Sequence, residues 1–163
     1  MSDRDTKTES FLQAIDRYSG IIAKVCYYYA NSREEYDDLR QEAMVCLWQG
    51  WEKFRGDAAL STWIYRVCLN ACVSSFRSNR KNASNIPLET VSDLAGDDAD
   101  RAAMLTEMHA LISRLSPREK AVILLWLDNY PYDTIAEMMG VPRNTVASWI
   151  KRIKEKLVAL SNQ

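Results

Sequence analysis

Apolar positions recur along this chain at steps of three and four, and polar breaks divide them into helix-sized runs. The first run spans about Phe11 to Ala30, with Phe11, Ile15, Tyr18, Ile22, Val25, Cys26 and Tyr29 on one helical face. Asn31-Ser-Arg-Glu-Glu interrupts it. A second helix is expected from about Tyr36 to Lys53, with Leu39, Ala43, Cys46, Leu47, Gly50 and Trp51 as its inner stripe. Asp37 and Asp38 fall in its expected first turn, where the helix dipole favours negative charge. Phe54-Arg-Gly-Asp-Ala-Ala then breaks the period, and Ser61 or Thr62 can cap a third helix that runs to about Arg77.

From Ser78 to Arg101 the chain turns polar and acidic, with Glu89, Asp93, Asp97, Asp98 and Asp100. Such a stretch reads as an exposed linker whose composition allows disorder. The expected organisation is therefore all-α. Two small helical domains, residues 1–80 and 102–163, are joined by a polar acidic linker at 81–101.

In the second domain Met104, Met108, Leu111, Ile112 and Leu115 outline one helix from near Ala102. Ser116-Pro117-Arg118-Glu119 is a start signal for the next. Ser116 caps, Pro117 suits the first helical position, and Glu119 closes a capping box. The helix it opens is apolar on most of its surface, which marks it as central. A short helix from about Thr134 follows. Ala136 is small enough for a close crossing, and Gly140 suits a left-handed helix end. The last helix has the inner stripe Val146, Ile150, Ile153, Leu157 and Leu160, spaced 4, 3, 4, 3. Small residue, glycine and apolar residue at these offsets outline a helix-turn-helix.

Charge sharpens that reading. The chain as a whole carries −1, with a pI near 5.9. Between Gly140 and Leu157, however, Arg143, Lys151, Arg152, Lys154 and Lys156 face a single acid, Glu155. A helix-turn-helix puts the N-terminal end of its second helix into the DNA major groove. Arg143, Asn144, Thr145, Ala147, Ser148 and Lys151 are the candidates for base edges, and Arg152, Lys154 and Lys156 for phosphates or solvent. A solvated amphipathic helix would carry the same lysines, so the turn signature in register decides for DNA.

Other features exclude functions. Five glycines and four prolines are too few for a hairpin-rich fold. The polar start MSDRDTKTES is no secretory leader, and no apolar run approaches a membrane span, so the expected location is the cytoplasm. Cys26, Cys46, Cys68 and Cys72 lack metal-ligand spacing and read as reduced, buried side chains, although Cys68 and Cys72 stand one helical turn apart. His109 is the single histidine and reads as structural. With no metal cluster, phosphate loop or nucleophile constellation, no enzyme, small-molecule substrate or cofactor is expected.

Taken in order, four segments resemble a bacterial RNA polymerase sigma factor of the short, extracytoplasmic-function type. They are DDLRQEAMVCLW, FRGDAALSTWIYRVCLNACVSSFR, LSPREKAVILLW and YDTIAEMMGVPRNTVASWIKRIKEKL. The resemblance implies an N-terminal domain that binds the core polymerase and opens the promoter near its −10 element, and a C-terminal domain that reads the −35 element. It implies that the first segment docks on a coiled coil of the β′ subunit, through Asp38, Leu39, Gln41, Glu42 and Trp48, with Arg40 among the polar contacts. Leu39 and Leu47 also fit a plain core role. It implies a base pocket in the loop Arg55, Gly56, Asp57, Ala58, Ala59 and Leu60, a polar contact at Asn70, and phosphate tracking by Arg66, Arg77, Arg80 and Lys81. Trp63 fits either a DNA-facing wall or core packing, and Phe54 reads as a core anchor. Further partners implied are the β flap of the polymerase, promoter DNA and an anti-sigma protein.

Four departures from the family pattern stand out. Asn129 and Pro131 replace the usual Gly and Ser, and Ala147 and Trp149 stand where relatives often carry basic residues. Asn tolerates a left-handed turn and Pro can start a helix, so the fold survives. Trp149 either shields the helix junction or presses on the DNA backbone. The rival reading, a two-domain helix-turn-helix regulator apart from the polymerase, explains the second half but leaves the first two segments without a role.

Overall fold

The computed structural model describes residues 2–78 and 94–163, and among them every regular element is helical. The chain divides into two compact units, Met1–Thr90 and Val91–Gln163. Arg80, Lys81 and most of the expected linker lie outside the described residues.

The first unit holds α1 (Asp3–Arg17), α2 (Ser19–Tyr29), α3 (Arg33–Trp51) and α4 (Leu60–Ser78). Helices α2, α3 and α4 pack on one another. Ile22, Val25 and Cys26 meet Leu39, Ala43 and Leu47 from α3 and Ile64, Cys68 and Cys72 from α4, all buried. Burial of one such aliphatic side chain stabilises by roughly 1.5–3 kcal/mol.

Four local expectations change. The single helix expected from Phe11 to Ala30 is two helices, broken at Tyr18 (φ −108°, ψ 20°). Ser19-Gly20 follows immediately, and glycine weakens a helix by roughly 0.5–1 kcal/mol against alanine, so the chain turns there cheaply. The polar start, to which the apolar pattern assigns no element, is helical because Ser2 caps it and Asp3 and Asp5 occupy its first turn. Asn31-Ser32-Arg33-Glu34-Glu35 acts as the start of α3: the Ser32 hydroxyl accepts from the Glu35 amide at 3.1 Å, and Glu34 and Glu35, instead of Asp37 and Asp38, fill the first turn. Ser61 and Thr62 lie inside α4, since the Trp63 amide donates to the Ala59 carbonyl at 3.0 Å.

All four cysteines are free thiols; Cys26, Cys68 and Cys72 are buried as expected, whereas Cys46 is only half-buried. Burial pushes the Cys68 thiol far up. Burial and then the Glu42 carboxylate push Cys46 up as well. A thiol held protonated is a poor nucleophile, which agrees with the structural role expected.

The second unit holds α5 (Ala99–Ile112), α6 (Pro117–Leu127), α7 (Tyr132–Met139) and α8 (Arg143–Ser161). Helix α5 starts at Ala99, capped by Asp98, whose carboxylate accepts from the Asp100 and Arg101 amides at 3.0 and 3.1 Å. The capping box of α6 is formed: Ser116 N–H donates to Glu119 Oε1 at 2.8 Å, and Glu119 N–H donates to Ser116 Oγ at 3.2 Å. Lys120 through Leu125 are all buried, so α6 is central as the pattern requires. His109 is also buried.

Two left-handed residues shape the rest. Asn129 (φ 67°) ends α6, with the Tyr130 amide on the Leu125 carbonyl at 3.1 Å. Gly140 (φ 68°) ends α7, with the Val141 amide on the Ala136 carbonyl at 3.0 Å. Both are Schellman ends, and the asparagine does the work expected of glycine. Val146, Ile150 and Ile153 of α8 are buried and Leu157 and Leu160 half-buried, as the stripe demands.

Candidate functional site

Helix α8 opens after Pro142, which offers no side-chain cap, and its first turn carries the positive end of the helix dipole. With Val146, Ile150 and Ile153 turned inward, Arg143, Asn144, Ser148, Lys151 and Arg152 are exposed, and Thr145 and Ala147 are half-buried beside them.

The cations of this helix divide into two sets. Arg143 pairs with Asp133 of α7 at 3.2 Å and stands 5.5 Å from the Tyr132 ring centroid. Lys154 stands 4.0 Å from the Trp126 ring centroid, and Lys156 pairs with Glu119 at 3.1 Å. Both lysines, expected to face phosphate or solvent, are thus tied to α6. Lys151 and Arg152 make no ion pair among the described residues. Partial burial works against ionisation of Glu119, but the Ser116 amide and the Lys156 ammonium outweigh it and hold the carboxyl below its ordinary range.

Trp149 is half-buried at the junction with α6, under the guanidinium of Arg118, which lies 5.3 Å from its ring centroid. Arg118, Val122, Trp149 and Arg152 line one cleft. Sequence reasoning took Arg118 only as part of a helix start. Its one available signal was its own charge, because the partners lie 31 and 34 residues further on.

In the first unit the loop Arg55–Ala59 is exposed throughout, with Gly56 left-handed (φ 79°). Arg55, Asp57 and Ala58 therefore share one solvent-facing segment. Along α4, Trp63, Arg66 and Asn70 recur at steps of three and four, on one helical face, and the side chain of Arg77 lies outside the described residues. Arg66 and Asn70 are exposed. Trp63 is half-buried, 6.1 Å from the Trp51 ring and 5.1 Å from the Phe54 ring, so packing takes much of its surface.

On α3, Asp38, Gln41, Glu42 and Trp48 are exposed, whereas Leu39 is buried at 5% and supports the helix from within. Val45, at 46% exposure, stands between Gln41 and Trp48 on the same face and was missed. The step of four and three through Gln41, Val45 and Trp48 was the signal available. Trp48 is backed by α1: its ring lies edge-on to Phe11 at 5.0 Å, with the Lys7 ammonium 4.8 Å away. Lys7 also pairs with Glu52 and, by donating to it, holds that carboxyl below its ordinary range.

Among the described residues no helix is long and apolar enough to cross a membrane. A family model for sigma-70 region 2 matches residues 14–82, and one for sigma-70 region 4 matches residues 105–157. Over 151 residues the chain is 28% identical to the ECF RNA polymerase sigma factor SigM of Mycobacterium tuberculosis, covering 93% of this chain and 76% of that one. The sigma factor RpoE of Bartonella quintana, solved with the anti-sigma factor NepR, superposes with a TM-score of 0.71 at 18% identity, over 94% of this chain and 98% of that one. CnrH, solved with the cytosolic domain of CnrY, gives 0.67 at 20% identity, over 95% and 89%. These two likenesses establish the shared fold.

Proposed function

Because the chain belongs to the sigma-70 family, in its extracytoplasmic-function branch, we propose that it binds core RNA polymerase in the cytoplasm and directs promoter-specific initiation through two separate DNA surfaces. Residues 1–80 engage the polymerase and open the −10 element, residues 102–163 read the −35 element, and 81–101 link them.

The −35 element meets the outer face of α8. Asn144, Ser148 and Lys151 reach base edges from its N-terminal half, with Arg143, Thr145 and Ala147 around them. Arg152 and Arg118 hold phosphate. The observation that carries this reading is the exposure of Asn144, Ser148 and Lys151 beside a fully buried Val146–Ile150–Ile153 stripe. Phosphate contacts fix position, and contacts to base edges specify sequence.

At the −10 element nothing covalent changes, so no catalytic group or cofactor is required. Extruding a base costs a few kcal/mol, and stacking on protein returns about 1–3 kcal/mol per base. The exposed loop Arg55–Ala59 is the site of capture. Arg66, Asn70 and Arg77 follow the strand along α4.

Docking on the β′ coiled coil uses Asp38, Gln41, Glu42, Val45 and Trp48, and the second domain reaches the β flap. The solved pairing of RpoE with NepR supports an anti-sigma protein as inhibitor here too. A helix-turn-helix regulator acting apart from the polymerase leaves the region 2 match and the exposed α3 face unexplained. The test is reconstitution. Purified core polymerase is expected to bind the chain and to start transcription at defined promoters only in its presence. A chain that binds promoter DNA tightly without polymerase favours the rival.

A further inference from the structure

Gly50 sits near the end of α3 in ordinary helical backbone, where glycine is weaker than alanine by roughly 0.5–1 kcal/mol. Its local conformation gives no reason for the missing side chain. The reason lies above it. A Cβ built at Gly50 would stand 3.0 Å from Cζ2 and 3.7 Å from Cη2 of Trp63, both on the six-membered ring of the indole. A methyl group there is tighter than ordinary contact, and the ring must give by a few tenths of an ångström to admit it.

The same glycine holds the other end of the exposed loop. Its carbonyl accepts from the Lys53 amide at 3.0 Å and the Phe54 amide at 3.2 Å. Phe54 packs on Trp63 at 5.1 Å, and the Trp63 amide ties back to the Ala59 carbonyl at 3.0 Å. Both borders of Arg55–Ala59 therefore converge on one residue of α3, while the loop itself is exposed.

We propose that Gly50 and Trp63 form a size-matched joint that positions the Arg55–Ala59 loop to capture the unstacked −10 base. They are positioning residues: Trp63 acts by seating on Gly50, without stacking on the base. This rests on the reading of that loop as the capture site.

The test uses holoenzymes carrying the wild-type chain, Gly50→Ala, Trp63→Phe, or both changes. Each is measured for affinity to core polymerase and to a fork-junction promoter whose −10 strand is single-stranded. A second fork lacks the captured base. Gly50→Ala is expected to weaken binding to the intact fork on the order of tenfold, within the 1–3 kcal/mol a captured base supplies. It leaves binding to core polymerase and to the base-less fork at the wild-type level. Phenylalanine lacks the six-membered indole ring that the new methyl meets, so the double variant is expected to regain most of the lost affinity.

The proposal is overturned by Gly50→Ala binding the intact fork as well as wild type, by the double variant doing no better than Gly50→Ala, or by Gly50→Ala losing core polymerase and both forks equally. Trp63→Phe alone reducing the intact fork to the level of the base-less one also overturns it, since Trp63 is then the contact itself. A wild-type holoenzyme that fails to distinguish the two forks refutes the capture site instead and leaves the joint as packing.

Discussion

The Arg118 guanidinium lies over the Trp149 indole, 5.3 Å from the ring centroid, and faces the same cleft as Arg152. A guanidinium held against an aromatic face loses less freedom on binding phosphate than a free one. Trp149 thus holds a cation of α6 at the flank of α8.

This predicts that Arg118→Ala lowers the slope of log affinity against log salt for holoenzyme on promoter DNA by about one, leaving the preferred sequence unchanged. Arg118→Lys is expected to recover only part of the affinity, because an ammonium does not stack as a guanidinium does. A shift in sequence preference would place Arg118 at a base edge instead.

Ser148 and Lys151 are exposed on the outer face of α8. Replacing either is expected to change which −35 sequences are selected from a randomised promoter pool, at about 1–3 kcal/mol for a bidentate base contact. Lys154→Ala is expected to leave selection alone, since that ammonium rests on Trp126. Sequencing the selected promoters separates these outcomes.

Gly140 and Asn129 have nearly the same backbone angle, φ 68° and 67°, but different tolerances. Gly140→Ala is expected to destabilise the second unit by about 1–2 kcal/mol, the cost of a left-handed non-glycine residue. Asn129→Gly is expected to cost nothing measurable. Amide exchange across α7 and α8 in the full chain reads both.

Glu119 gives the second unit an acid-sensitive part. Its folded carboxyl ionises below the ordinary range, so its stabilisation is complete above the unfolded value of about pH 4.3 and is lost as pH falls through the folded one. Glu119→Gln is expected to remove that pH dependence. It costs at most about 1 kcal/mol near neutrality, because glutamine still closes the box and only the charge and the exposed pair with Lys156 are lost. Denaturation of both chains between pH 3 and 7 checks the sign.

Much of this was legible because it is local. The Ser116–Glu119 box, the Gly140 turn, the left-handed Asn129 and the α8 stripe each depend on residues within about one or two helical turns. Other features misled for equally physical reasons. Only one residue leaves the helix at Tyr18, so the apolar period passes through the break and hides it. Ser32 to Glu35 carries the spacing of a capping box, yet its polarity looked like a loop. The docking candidate Leu39 proved to be core because burial is decided by α2 and α4, which the pattern of α3 alone does not register. Lys156 and Glu119 lie 37 residues apart, and no periodicity links them.

The central claim is tested most directly by run-off transcription with purified core polymerase over a library of promoter templates. Addition of the chain is expected to produce discrete transcripts from a subset sharing one −10 and one −35 sequence, and to produce none without it. Transcript patterns identical with and without the chain across the whole library contradict the account.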